Sequence, residues 1–240
     1  MKMLTLTVLV AATCSLLGCS SSPLAGVQES ETGAEPGAAP AGSVGTGASA
    51  GAGSAAASST STWAAYPAGP YGTGRGATIE NLSFLGWRHP DVAGYDPAKF
   101  ETVRLSDFYD PDGLTGVKLL AINASAVWCS VCRAEYEDMN STQVYDTVHP
   151  MGVEILGTLF EDNAYYPAQP QDLKNWGVLS THAVKFPLVL DPGFKLGAFF
   201  DSDATPLNML VDVRTMTIVQ VTMGYSTTYW AQVRALLAKM

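Results

Sequence analysis

Residues 117–135 read Val-Lys-Leu-Leu-Ala-Ile-Asn-Ala-Ser-Ala-Val-Trp-Cys-Ser-Val-Cys-Arg-Ala-Glu. The opening of this stretch, 117–124, is almost continuously apolar, the pattern of a strand covered on both faces. Helical spacing then predicts a helix over 130–148, stopped by His149-Pro150. Cys129 and Cys132 therefore stand where a strand gives way to a helix. Unpaired N–H groups and the helix dipole favour an anion at such a place. A thiolate at Cys129 is stabilised there, which lowers its pKa and makes it a nucleophile. Two intervening residues bring the second sulfur within bonding distance on the first helical turn. Attack by Cys129 on a disulfide gives a mixed disulfide, which Cys132 resolves.

Other chemistries compete for two cysteines at this spacing. A structural zinc site needs two further ligands. The chain holds four cysteines, and neither Cys14 nor Cys19 belongs to the folded part, while His89, His149 and His182 form no paired spacing. No metal ligand set is therefore assigned. A static disulfide is compatible with an exported protein, yet a bridge closing so short a loop removes little chain entropy. Copper(I) on two soft thiolates stays open.

Working outward, strands and helices alternate. An edge strand or extended lead-in is expected over 78–85 and a short helical turn over 105–109. Strands are expected over 153–160 and 186–190, with a helix over 172–184 between them. Residues 207–213 and 217–223 read as a hairpin. A last helix starts near Ser226 to Thr228, with Trp230, Val233 and Leu237 at helical spacing toward the sheet. This order predicts an α/β fold, a central mixed sheet flanked by helices.

The chain has 240 residues and a formal net charge of −9. With no clustered Lys and Arg, a nucleic-acid partner is not expected. The N-terminus reads as an address. Lys2 precedes an apolar run over 4–17 and then Gly18-Cys19, the layout of a secretory signal too short for a permanent membrane span. Leu16-Leu17-Gly18-Cys19 resembles the lipobox of bacterial lipoproteins. That resemblance implies cleavage after a signal peptide at 1–18 and diacylation of Cys19. Residues 19–70 are rich in Ser, Gly, Ala, Pro and Thr and offer little apolar surface to offset ordering entropy, so a disordered tether is expected. The folded domain is expected over 71–240, of ordinary size.

The stretch 120–135 resembles the active-site region of the thioredoxin-like redoxin group, specifically its exported TlpA and ResA kind. Asn123 stands six residues before the first cysteine, where thioredoxin itself has a buried acid and this kind often has Asn. Glu135, three residues after Cys132, stands where this kind has a Glu. The resemblance implies that Glu135 handles protons beside the thiols, and its helical spacing from Cys132 puts both on one face. Thr205-Pro206 matches the family's cis-proline, opening a strand opposite the cysteines. Trp128 is the usual aromatic before the first cysteine and, with Thr205 and Pro206, is expected to meet the partner. The likeness extends over 76–240. It departs at the dipeptide Ser130-Val131 and at Tyr136, both places where the family commonly has Pro.

These readings imply a thioredoxin-like domain with an N-terminal extension. It would exchange its own dithiol and disulfide with protein thiols and disulfides, more as reductant than oxidant, with no other cofactor and with an upstream electron donor. It would sit in the cell envelope, held to a membrane through Cys19 and facing the periplasm or exterior. Three alternatives are weighed. A copper(I) metallochaperone would recruit His182. A peroxiredoxin-type peroxidase lacks its Pro-x-x-x-Thr/Ser-x-x-Cys pattern before Cys129. A non-catalytic interaction module would leave the cysteine pair without a use. The address is testable by labelling: a Cys19→Ser full chain will take up no labelled fatty acid in a bacterial host, whereas the wild type will. Equal labelling of both would remove the lipid anchor.

Overall fold

The computed structural model describes residues 65–200 and 202–240. The expected signal peptide, the expected lipidation at Cys19 and the expected tether up to residue 64 fall outside these residues. Among the described residues no helix is long and apolar enough to cross a membrane.

The stretch 117–124 becomes β3 (Leu119–Ser125), all seven of whose residues are buried. Parallel β4 (Val153–Leu159) flanks it on one side and antiparallel β6 (Leu207–Asp212) on the other. The sheet is completed by β1 (Ser83–Trp87), β2 (Glu101–Arg104), β5 (Leu188–Leu190) and β7 (Thr217–Met223). It is mixed, in the order β2-β1-β5-β4-β3-β6-β7. The helices are α1 (Pro90–Ala93), α2 (Ser130–Ser141), α3 (Val144–Val148), α4 (Pro170–Gly177) and α5 (Tyr229–Leu237). The strand–helix alternation and the closing β6–β7 hairpin agree with the sequence reading. So does α5, which buries Trp230, Val233 and Leu237.

Several expected elements are divided. The edge strand over 78–85 is two things. Thr78 bridges Thr217 of β7, at one edge of the sheet. Ser83 onward forms β1, which pairs with both β2 and β5 near the other edge. The buried Ile79 and its bond to the Met216 carbonyl pin the first part, so the chain must cross before it pairs again. The helix over 130–148 breaks at Gln143, whose φ of 51° is left-handed. Ser141 and Thr142 hydroxyls donate back to the Asp138 carbonyl and use up a helix acceptor there. The helix over 172–184 starts earlier, at Pro170, where the Asp172 carboxylate accepts the Gln169 N–H. It ends at Gly177, whose carbonyl accepts the Val184 N–H as the chain turns back. Helix α5 begins at Tyr229, and Thr228 gives it no side-chain cap.

One row of residues positions the site. Leu188, Gly157, Asn123, Asn208 and Thr222 pair across five adjacent strands, β5 to β7. Helix α2 lies over this row. A Cβ on Gly157 would collide with the Tyr136 hydroxyl, so glycine is what lets the buried Tyr136 ring approach β4.

Gly86 plays the corresponding part between β1 and β5, where an added Cβ would overlap the backbone of Leu188 and Val189. Because backbone cannot swing aside, Gly86→Ala will lower unfolding free energy by about 2 kcal/mol, read by denaturant titration. An unchanged midpoint would show that β1 can slide without cost.

Candidate redox site

The strand–turn–helix junction forms because β3 ends at Ser125 and the chain turns tightly. The Cys129 N–H donates to the Ala126 carbonyl at 3.2 Å. Cys129 is then the N-cap of α2, with extended φ and ψ of −79° and 104°. Its Sγ accepts the Cys132 N–H at 3.0 Å and faces the Thr205 hydroxyl at 3.2 Å. A helix N-terminus leaves backbone N–H groups without partners, and sulfur takes one of them here. Cys129 and Cys132 are joined by a disulfide across a Cα–Cα distance of 5.3 Å. Both sulfurs are inside, with residue exposures of 5% and 0%. The Thr205-Pro206 bond is cis, and the Pro206 carbonyl accepts the Gly224 N–H.

No protein-family model matches the sequence, and no curated protein matches it. Solved structures do match. A Chlorobium tepidum protein designated a thiol:disulfide interchange protein, DsbE, is 17% identical at a TM-score of 0.50, covering 69% of this chain and 96% of its own. The exposed lipoprotein thioredoxin of Streptococcus pneumoniae is 20% identical at a TM-score of 0.47, covering 67% and 100%. A 2-Cys peroxiredoxin of Plasmodium vivax is 15% identical at a TM-score of 0.49, covering 68% and 80%. The chain has the thioredoxin-like fold.

In this thioredoxin-like domain Glu135 lies one helical turn beyond Cys132 and is 1% exposed. Its Oε2 accepts the Asn123 amide at 2.7 Å, and its Oε1 accepts the Asn208 amide at 2.8 Å. The Ser125 hydroxyl donates to Asn123 Oδ1 at 2.8 Å. Burial pushes the Glu135 carboxyl up to about 7, although the Asn208 and Asn123 bonds oppose the shift. Trp128 is held from the side. Its indole Nε1 donates to Glu161 Oε2 at 2.7 Å, and its ring stacks on Tyr165 with centroids 5.1 Å apart. Tyr165 is exposed, as are Val131 and Tyr166.

The structure thus gathers Trp128, Cys129, Cys132, Glu135, Thr205 and Pro206 from α2 and the turns before α2 and β6. His182 is elsewhere, beside Asn140 and Asp146 near the far end of α2. Among the described residues no group of three or more His, Cys, Asp or Glu could hold a metal. Asn208, Ser125 and Glu161 were not singled out from the sequence. A signal existed for Asn208, a polar residue inside the apolar run 207–211. Glu161 had none, because its partner Trp128 is distant in sequence.

Glu135 also sets a stability slope. Its native pKa is about 7 against 4.5 unperturbed, so between those values the folded chain keeps a proton that the unfolded chain has lost. Stability from this group is full below about pH 4.5 and is lost as pH rises through about 7. Unfolding free energy of the oxidised protein will therefore fall with pH by roughly 3 kcal/mol more in the wild type than in Glu135→Gln. Parallel curves for the two proteins would show that Glu135 does not titrate in this range.

Proposed function

We propose that this domain is a thiol–disulfide oxidoreductase that reduces protein disulfides outside the cytoplasm. The observation that carries the reading is the Cys129 sulfur at the start of α2, facing the Cys132 N–H and the Thr205 hydroxyl. Both donors favour the thiolate over the thiol. In the reduced protein the Cys129 thiolate attacks one sulfur of a partner disulfide. A mixed disulfide forms and the other partner sulfur leaves as thiolate. Cys132 then gives its proton to the Glu135 carboxylate, and its thiolate attacks Cys129. The Cys129–Cys132 disulfide forms, and the second partner sulfur leaves and takes up a proton. Two electrons have passed to the partner. A second protein dithiol must return them.

Glu135 suits the proton transfer because a carboxyl with a pKa of about 7 exchanges protons at neutral pH. Trp128, Thr205 and Pro206 frame the sulfur that the partner approaches. The partner segment is read as an extended chain lying against Thr205-Pro206. The indole of Trp128 is fixed by Glu161 and Tyr165 and offers a rigid aromatic contact. The lipobox-like stretch ending at Cys19 supports a membrane anchor, and residues 20–70 support a tether that gives the domain reach.

The midpoint potential of the Cys129–Cys132 couple in the full chain, equilibrated against dithiothreitol or glutathione buffers, tests the reading. A value near or below about −250 mV is expected of a reductant. A value near about −120 mV would reverse the direction of electron flow. Cys132→Ser will accumulate a mixed disulfide with a model disulfide protein, and Cys129→Ser will form none. Equal trapping by both variants would overturn the assignment of Cys129 as nucleophile.

A further inference from the structure

The Glu135 carboxylate is gripped by a directional set of donors drawn from two strands. Ser125 donates to Asn123 Oδ1 at 2.8 Å, so the Asn123 Nδ2 group must face the other way. That Nδ2 supplies one N–H to Glu135 Oε2 at 2.7 Å and approaches Asn208 Oδ1 at 3.1 Å. With its Oδ1 turned to Asn123, Asn208 presents its own Nδ2 to Glu135 Oε1 at 2.8 Å. Each oxygen of the carboxylate thus has one amide donor. Asn208 is 4% exposed and Asn123 3% exposed, so water does not readily replace either.

We propose that Asn208 is a positioning residue of the resolving step: its amide holds Glu135 Oε1 and so sets the pH at which the carboxylate can accept the proton of Cys132. The proposal rests on the oxidoreductase reading and deepens it. The step is a proton transfer only. The S–H bond of Cys132 breaks, an O–H bond forms on Glu135, and no electrons move until the thiolate attacks Cys129.

A neutral donor is what this position requires. A hydrogen bond to the charged form of a buried carboxyl favours that form. An apolar side chain at 208 leaves Oε1 desolvated and unpaired, which penalises the carboxylate more than the acid. A second carboxylate there would repel the first. The other groups around Glu135 do not substitute for the amide. Asp138, one turn along α2, raises the Glu135 pKa. Tyr136 on α2, Tyr225 before α5 and Tyr229 on α5 all feel the Glu135 charge, and burial raises each phenol above its ordinary value, so they are neutral near pH 7. Cys132 is the thiol concerned. Asn208 and Asn123 are the groups that pull the pKa down, against the larger effect of burial.

The test uses reduced full chain and 5,5′-dithiobis(2-nitrobenzoate) in stopped flow. Attack by Cys129 releases one nitrothiobenzoate, and resolution by Cys132 releases the second, so the two steps appear as separate phases. In the wild type the second phase should rise with a midpoint near pH 7, the Glu135 value. In Asn208→Leu that midpoint should move up by one unit or more, which makes the second phase about fivefold slower or more at pH 7. The first phase should be unchanged, and the second should recover the wild-type rate at high pH. Asn208→Thr retains a hydroxyl donor and should shift less, which guards against a misfolded Leu variant. An unmoved midpoint in both variants, or equal slowing of both phases at every pH, would overturn the role of Asn208. If Glu135→Gln abolishes the pH step while neither Asn208 variant moves it, only this inference fails. If the wild type shows no second phase, the oxidoreductase reading fails with it.

Discussion

A carboxylate under a helix and against a sheet, away from water, must be matched by donors, and that requirement organises this domain. Glu135 is met from β3 by Asn123 and from β6 by Asn208. Those two asparagines are direct partners across the antiparallel ladder, so their amides can converge from the sheet on one side chain of the helix above it. The same row places Gly157 on β4, where the absence of a side chain admits the Tyr136 ring. Helix α2 is thus seated by polar contacts over β3 and β6 and by an aromatic contact over β4. A mismatched donor would cost more here than at the surface, because a buried polar group without a partner pays its desolvation in full. Seating α2 also fixes its first turn, and the first turn carries the cysteines.

At that first turn the chemistry depends on backbone more than on side chains. Cys129 occupies the position a Ser or Asp would take as an N-cap, and its sulfur accepts the Cys132 N–H. Thr205 adds a hydroxyl from the turn before β6. The outer wall is a loop after β4. Its Glu161 carbonyl accepts the Val127 N–H and its carboxylate accepts the Trp128 indole, so loop and site are tied at two points. The Asp162 carboxylate accepts the N–H groups of Ala164 and Tyr166, which folds the loop so that Tyr165 stacks on Trp128. The acidic groups of this loop are spent on internal bonds, and the aromatic ones face outward.

Strong periodicity makes an element legible in the sequence. β3, β4, the β6–β7 hairpin and α5 lie where the apolar patterns put them, because full burial demands near-continuous apolar sequence and an amphipathic helix repeats its buried positions. Pattern and fold part company where the local signal is ambiguous or tertiary contact decides. The run 130–148 has helical character throughout, yet hydroxyl back-bonding and a left-handed Gln143 split it. The lead-in 78–85 looks uniformly extended, yet its two halves serve opposite sides of the sheet. Strand β2 lacks a buried face, with only Val103 inside, and so leaves little trace.

By itself the sequence determined that two cysteines stand at a strand-to-helix junction and that a carboxylate follows one turn later. These are facts of spacing, and spacing along one strand and one helix survives folding. Only the tertiary structure decided what surrounds the carboxylate and the first cysteine. Asn208 and Thr205 are more than seventy positions from their partners, and Glu161 is far from Trp128. Such contacts arise from strand order and register, which depend on how the whole core packs and which no local stretch of the chain encodes.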